Sequence, residues 1–225
     1  MMRALKLVGL LLLYPDRTLR TALPDLAAAL ATEPSLPAAH RPGLVAFARA
    51  LAATDPYAAE ETYVALFDRT RTLSLHLFEH AFGDSRARGQ AMVALGERYR
   101  QEGLEPDSRE LPDYLPLFLE FLSLLPAAEA LPMLKEAAPV MDKLRAGLER
   151  RESGYAAVFR TLLAIAEMPA TAIDEAPAED EFAAMDREWE EAAVTFGPGE
   201  GGGPQADTGC GRASEMVRRM NPTGS

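Results

Sequence analysis

Apolar residues recur at intervals of three and four along most of the chain, and no stretch sustains an alternation of apolar with polar at a period of two. That pattern predicts an all-α protein. A first helix is expected over 5–14, closed by Pro15, and Asp16 or Thr18 opens a second that carries Leu23, Leu26 and Leu30. Pro34 and Pro37 mark a loop, after which Leu44, Phe47, Ala48 and Leu51 define a third helix. Asp55 followed by Pro56 is a start signal, because the carboxylate can accept an orphan N–H and proline at the first helical position breaks no bond. The helix beyond it carries Tyr63, Val64 and Phe67, and another is expected over 72–82, ended by Gly83. Asp84 or Ser85 then caps a helix with Gly89, Met92, Leu95, Gly96 and Tyr99 on one stripe, until Gly103 supplies a left-handed residue. Segments 127–150 and 154–168 are helical by the same spacing, with Pro132 and Pro139 expected to break or kink the first.

The stretch that organises the rest is 107–126. Asp113 reads as an N-cap with Pro116 at N3, where a missing donor costs nothing. The helix then runs through Tyr114, Leu115, Leu117, Phe118, Leu119, Phe121, Leu122, Leu124 and Leu125, interrupted only by Glu120 and Ser123, until Pro126. A helix apolar on almost every side must be covered on more than one. The expectation is a central core helix that also offers a groove, lined by Leu117, Phe118, Phe121 and Phe67, to the apolar face of a partner helix. Burying on the order of 500 Å² there is worth roughly 12 kcal/mol gross, much of it cancelled by ordering the peptide. Glu79, Asp113 and Glu120 would steer basic side chains, while Asp68, Arg69, Arg86 and Arg88 fix register or cap helices.

With 225 residues the chain can bury a sizeable core without disulfides or metals, and Cys210, its single cysteine, has no internal partner. A net charge of −11 and a pI near 4.8 argue against sequence-independent nucleic-acid binding and favour a basic partner. Arg3 and Lys6 ahead of residues 7–13 imitate a signal peptide, but the apolar run is short and no small-residue cleavage site follows. A cytoplasmic protein is expected, with no direct membrane insertion. From 174 to 191 the chain turns acidic, with Phe182, Met185 and Trp189 at helical spacing, which reads as a surface helix. Residues 197–204 read as a flexible linker. The organisation expected is one helical domain over 1–195 and a Gly/Pro-rich, disordered tail over 196–225.

One catalytic pattern stands out. His76, Glu79 and His80 match H-x-x-E-H, in which two histidines one helical turn apart bind zinc and the glutamate activates water. It requires a third ligand that nothing in the sequence marks, and a local role for both histidines competes with it: His76 partly exposed, His80 bonded near the helix end. No glycine-rich loop joins a strand to a helix, Cys210 has no histidine near it in sequence, and Ser74 and Ser85 have no evident base.

Four blocks, YVALFDR at 63–69, LSLHLFEH at 73–80, SRARGQAM at 85–92 and SRELPDYLPLFLEFL at 108–122, together resemble the nitrate reductase delta-subunit chaperones, within the broader group of molybdoenzyme maturation chaperones. The resemblance covers roughly 5–191. It implies an all-helical cytoplasmic protein that is not an enzyme and binds no cofactor permanently. Such proteins hold the N-terminal peptide of the catalytic alpha subunit and keep the apo-enzyme open while bis-molybdopterin guanine dinucleotide is inserted. A monomer or weak dimer is expected, and a related molybdoenzyme is the alternative client. The candidate client-binding residues are Phe67, Asp68, Arg69, Glu79, His80, Arg86, Asp113, Tyr114, Leu117, Phe118, Glu120 and Phe121. Members of the family usually carry Leu where His76 stands and His where Tyr114 stands, so the first zinc ligand is not part of the family pattern, and this chain lacks the imidazole of the family's PDYLP block.

Overall fold

A computed structural model describes residues 2–82, 86–105 and 110–168, and helices account for most of them. In chain order they are α1 (Arg3–Leu10), α2 (Arg17–Thr32), α3 (Arg41–Ala53), α4 (Pro56–Phe67), α5 (Leu77–Phe82), α6 (Arg86–Gln101), α7 (Leu115–Leu124), α8 (Ala127–Arg150) and α9 (Ala156–Ile165). Two of the capping acids act as the sequence predicts. Asp16 accepts from Leu19 N at 2.7 Å and Asp55 from Ala58 N at 3.1 Å, each satisfying a donor with no intrahelical partner. Gly103 closes the turn after α6 at φ 77°, a conformation that costs glycine nothing.

Three antiparallel pairs build the body. Met2 N donates to Ser123 O, Lys6 pairs with Glu120, and a methyl on Gly9 would meet Leu119 Cβ at 3.2 Å, so α1 lies tightly along α7 in the opposite sense. Arg20, near the start of α2, donates to the carbonyls of Leu51, Ala52 and Thr54 at the end of α3. Glu149 pairs with Arg160, and Lys135 with Glu167, which sets α9 antiparallel to α8. Leu5, Leu11, Leu12, Leu23, Leu44, Tyr99, Phe118, Phe121 and Phe159 meet in the core, all essentially inaccessible.

Several expectations are corrected. The first helix ends at Leu10, not Tyr14, and residues 11–13 form a turn. The segment 72–82 is not one helix: Arg71–Leu73 is a short 3-10 turn, His76 forms an antiparallel bridge with Tyr114, and α5 starts only at Leu77. Pro132 and Pro139 sit inside an unbroken 24-residue α8, whose apolar face buries Leu134, Ala137, Ala138 and Met141. Burial of that face outweighs two missing backbone bonds. Gly89 is exposed, and Ala91 joins Leu95, Gly96 and Tyr99 on the buried stripe of α6. The capping of α7 also differs, since its N-cap is Tyr114, Pro116 falls in the first turn, and Asp113 serves another helix. Phe67, Phe118 and Phe121 are core residues, 4%, 0% and 0% exposed, and not the wall of an open groove. Neighbouring helices cover the faces of α7 that carry them. The acidic segment 174–191, the linker 197–204, Cys210 and the expected domain limit at 195 lie outside the described residues.

Candidate functional site, a clasp beneath an acidic tyrosine face

The loop before α7 and the segment before α5 clasp each other. Leu115 N donates to Leu75 O at 2.8 Å and Leu77 N to Asp113 O at 3.0 Å, the two bonds of a minimal antiparallel ladder. Asp113 locks it. Its side chain is fully buried, and Oδ2 accepts from Phe78 N at 3.1 Å while Oδ1 lies 3.1 Å from His76 Nδ1. Arg88 of α6 adds charge 3.8 Å from Oδ2 and bonds Glu79 at 3.1 Å. A buried carboxylate is tolerated only when its acceptor positions are filled in this way. The bond from Asp113 holds the His76 imidazole above its ordinary pKa, against the opposing effect of desolvation.

Tyr114 extends the clasp toward α4. Its hydroxyl lies 3.1 Å from that of Tyr63, which in turn lies 2.9 Å from Leu12 O. A carbonyl can only accept, so Tyr63 donates to Leu12 and Tyr114 donates to Tyr63. Burial pushes the Tyr114 hydroxyl up to about 12 and that of Tyr63 far above its usual value, so both keep their protons. Tyr63 packs edge-on against Tyr14, Phe67 and Tyr155, with ring centroids 5.4, 5.0 and 6.2 Å away. Tyr155 is buried, and its hydroxyl has no hydrogen-bond partner among the described residues.

Where this cluster meets solvent it is acidic. Tyr14 is 42% exposed, and its hydroxyl is raised first by desolvation and then by the bonded Glu60 carboxylate. Asp68, exposed at the end of α4, acts on Tyr14, Tyr63 and Tyr114, and Glu110 also acts on Tyr114. Of the sequence candidates, this face gathers Asp68 and Tyr114, with Asp113 and Glu79 beneath it. Arg69 is exposed beside Asp68, Leu117 is half-buried one turn into α7, and Arg86 is exposed at the start of α6. Glu120 is taken up by Lys6 at 3.0 Å. Tyr14, Glu60, His76 and Glu110 are the residues that sequence reasoning passed over for this face. Tyr14 beside Pro15 was a readable signal, an aromatic at an element boundary.

The zinc arrangement has lost its geometry. His76 precedes α5, so the two histidines are not a helical turn apart on one face. His76 Nδ1 meets Asp113, and His80 Nε2 lies 2.8 Å from Ser74 O. Among the described residues, no three His, Cys, Asp or Glu side chains are grouped to hold a metal ion, and no helix is long and apolar enough to cross a membrane.

Fold and site together define an all-α protein with a clasped central helix beneath an acidic, tyrosine-bearing face. The chain belongs to the nitrate reductase delta subunit family, whose profile matches residues 17–161. It is 44% identical, over 98% of its length and 93% of the relative's, to the nitrate reductase molybdenum cofactor assembly chaperone NarJ of Escherichia coli strain K12. It is also similar to the probable chaperone NarW of that strain, at 38% over 87% of this chain and 84% of the relative, and to the probable chaperone NarJ of Bacillus subtilis, at 33% over 70% and 84%.

Proposed function

We propose that this chain is an assembly chaperone of a nitrate reductase: it holds the N-terminal peptide of the apo alpha subunit while bis-molybdopterin guanine dinucleotide is inserted into that client. The near-full-length likeness to the Escherichia coli chaperone carries the reading. In it the chain is cytoplasmic, acts as a monomer or weak dimer, performs no catalysis and keeps no cofactor of its own.

The surface offered to the peptide is the acidic tyrosine face, with Tyr14, Tyr114 and Leu117 as apolar contacts and Glu60, Asp68 and Glu110 around them. Amphipathic aromatic rings bordered by carboxylates suit a helical peptide that carries apolar residues on one side and Lys or Arg on the other. Phe118 and Phe121 support this surface from below instead of touching the client. The test is complementation in a host whose own chaperone gene is deleted. This chain is expected to restore cofactor-loaded nitrate reductase, and a client that stays cofactor-free while the chain is expressed and folded contradicts the reading.

A further inference from the structure

Among the described residues, a second surface, between α2 and α3, has no partner. Pro24, Ala27 and Ala28 of α2 and Arg49, Ala52 and Ala53 of α3 line an open trough of about 500 Å³ whose floor is mostly apolar. Small residues on two antiparallel helices leave room for large side chains from outside, and a space of this size takes two or three of them. The charge on these two helices is net positive. The two helices carry Arg17, Arg20, Arg41 and Arg49 against Asp25, while Asp16, the N-cap of α2, and Asp55, the N-cap of α4, place negative charge at one end of the pair. Arg20 and Arg41 bond backbone carbonyls, which satisfy their donors without neutralising their charge.

The sequence holds a matching segment. Twelve of the 34 Asp and Glu, but only four of the 23 Lys and Arg, lie beyond Met168, so that stretch carries −8 of the net −11. Its acids concentrate in 174–191, around Phe182, Met185 and Trp189 at intervals of three and four. We propose that segment 174–191 folds back on its own chain and seats these three side chains in the trough between α2 and α3, with its carboxylates toward Arg20 and Arg49. Reach is sufficient. Gly43 of α3 meets Ala157 near the start of α9, and Met168 follows eleven residues later. The path back along α9 and down α3 to Ala53 is about 30 Å at 1.5 Å per helical residue. Fourteen residues from Met168 to Phe182 span up to about 46 Å. This inference stands independently of the client reading.

Trp189 is the chain's single tryptophan and reports the docking directly. In the full-length protein its emission is expected to be shifted to short wavelength and weakly quenched by acrylamide. Ala28→Glu, Ala53→Glu and Arg49→Glu change exposed positions and leave the helices intact, which circular dichroism verifies. Each is expected to move the emission to that of solvated tryptophan. A solvated Trp189 in the unmodified chain overturns the proposal. So does a protected Trp189 that ignores all three substitutions, or protection that vanishes on dilution, which would place the segment on a second copy.

Discussion

Asp113 caps a helix it does not belong to: its carboxylate accepts from Phe78 N at 3.1 Å, 35 residues away, and leaves the first turn of its own helix uncapped by any side chain. The bond fastens α5 to the entrance of α7 and makes one buried acid responsible for the clasp. Asp113→Ala leaves the Phe78 N–H and the Arg88 charge without it in a buried setting. A loss of about 3 kcal/mol is expected, read as a lower urea midpoint at unchanged slope. A cost under about 1 kcal/mol would show that the clasp does not hold the fold.

His76 gives the clasp a pH dependence. Its folded-state pKa is raised by Asp113, so the stabilisation is complete below the unfolded value of about 6.5 and is lost as pH rises through the higher folded value. Glu79 supports the charged form and Arg88 opposes it. Urea midpoints are expected to fall across that window in the unmodified chain, and the difference between it and His76→Gln to shrink there. A constant difference from pH 5.5 to 8.5 would show that the imidazole is not coupled to folding.

Phe118 separates core from groove. Fully buried, it is expected to cost about 4 kcal/mol as Phe118→Ala, with the loss visible in unfolding before any binding is measured. An unchanged unfolding midpoint with weakened client binding would return it to an exposed groove wall.

Tyr155 runs the other way. Its hydroxyl is buried without a partner among the described residues, so Tyr155→Phe removes a desolvation cost and keeps the ring contacts with Phe47 at 4.6 Å and Phe67 at 5.0 Å. A gain of about 1 kcal/mol is expected by thermal or urea unfolding. A loss of that size would reveal a bond to the hydroxyl in solution.

How far the fold could be read from sequence depended on the range of the forces involved. Asp16, Asp55 and Gly103 act within three or four residues, and their spacing announces them. The break within 72–82 comes from a bridge to Tyr114 and a cap from Asp113, partners nearly forty residues away that no local pattern contains. Asp113 was recognisable as a capping acid, yet local reasoning gave it the adjacent helix. Phe118 and Phe121 were legible as apolar, but which face of α7 its neighbours cover is decided by tertiary packing. For the same reason the acidic face, assembled from Tyr14, Glu60, Asp68, Glu110 and Tyr114, emerges only once α4 and α7 meet.

The central claim is that this acidic tyrosine face holds the first residues of a nitrate reductase alpha subunit. Calorimetric titration of that N-terminal peptide into the full chain tests it most directly, alongside Tyr14→Ala and Asp68→Lys, both at exposed positions. The account predicts saturable binding to the unmodified chain, with each substitution weakening it about tenfold, or about 1.4 kcal/mol, while the chain stays folded. No heat of binding, or equal affinity in all three proteins, would contradict it.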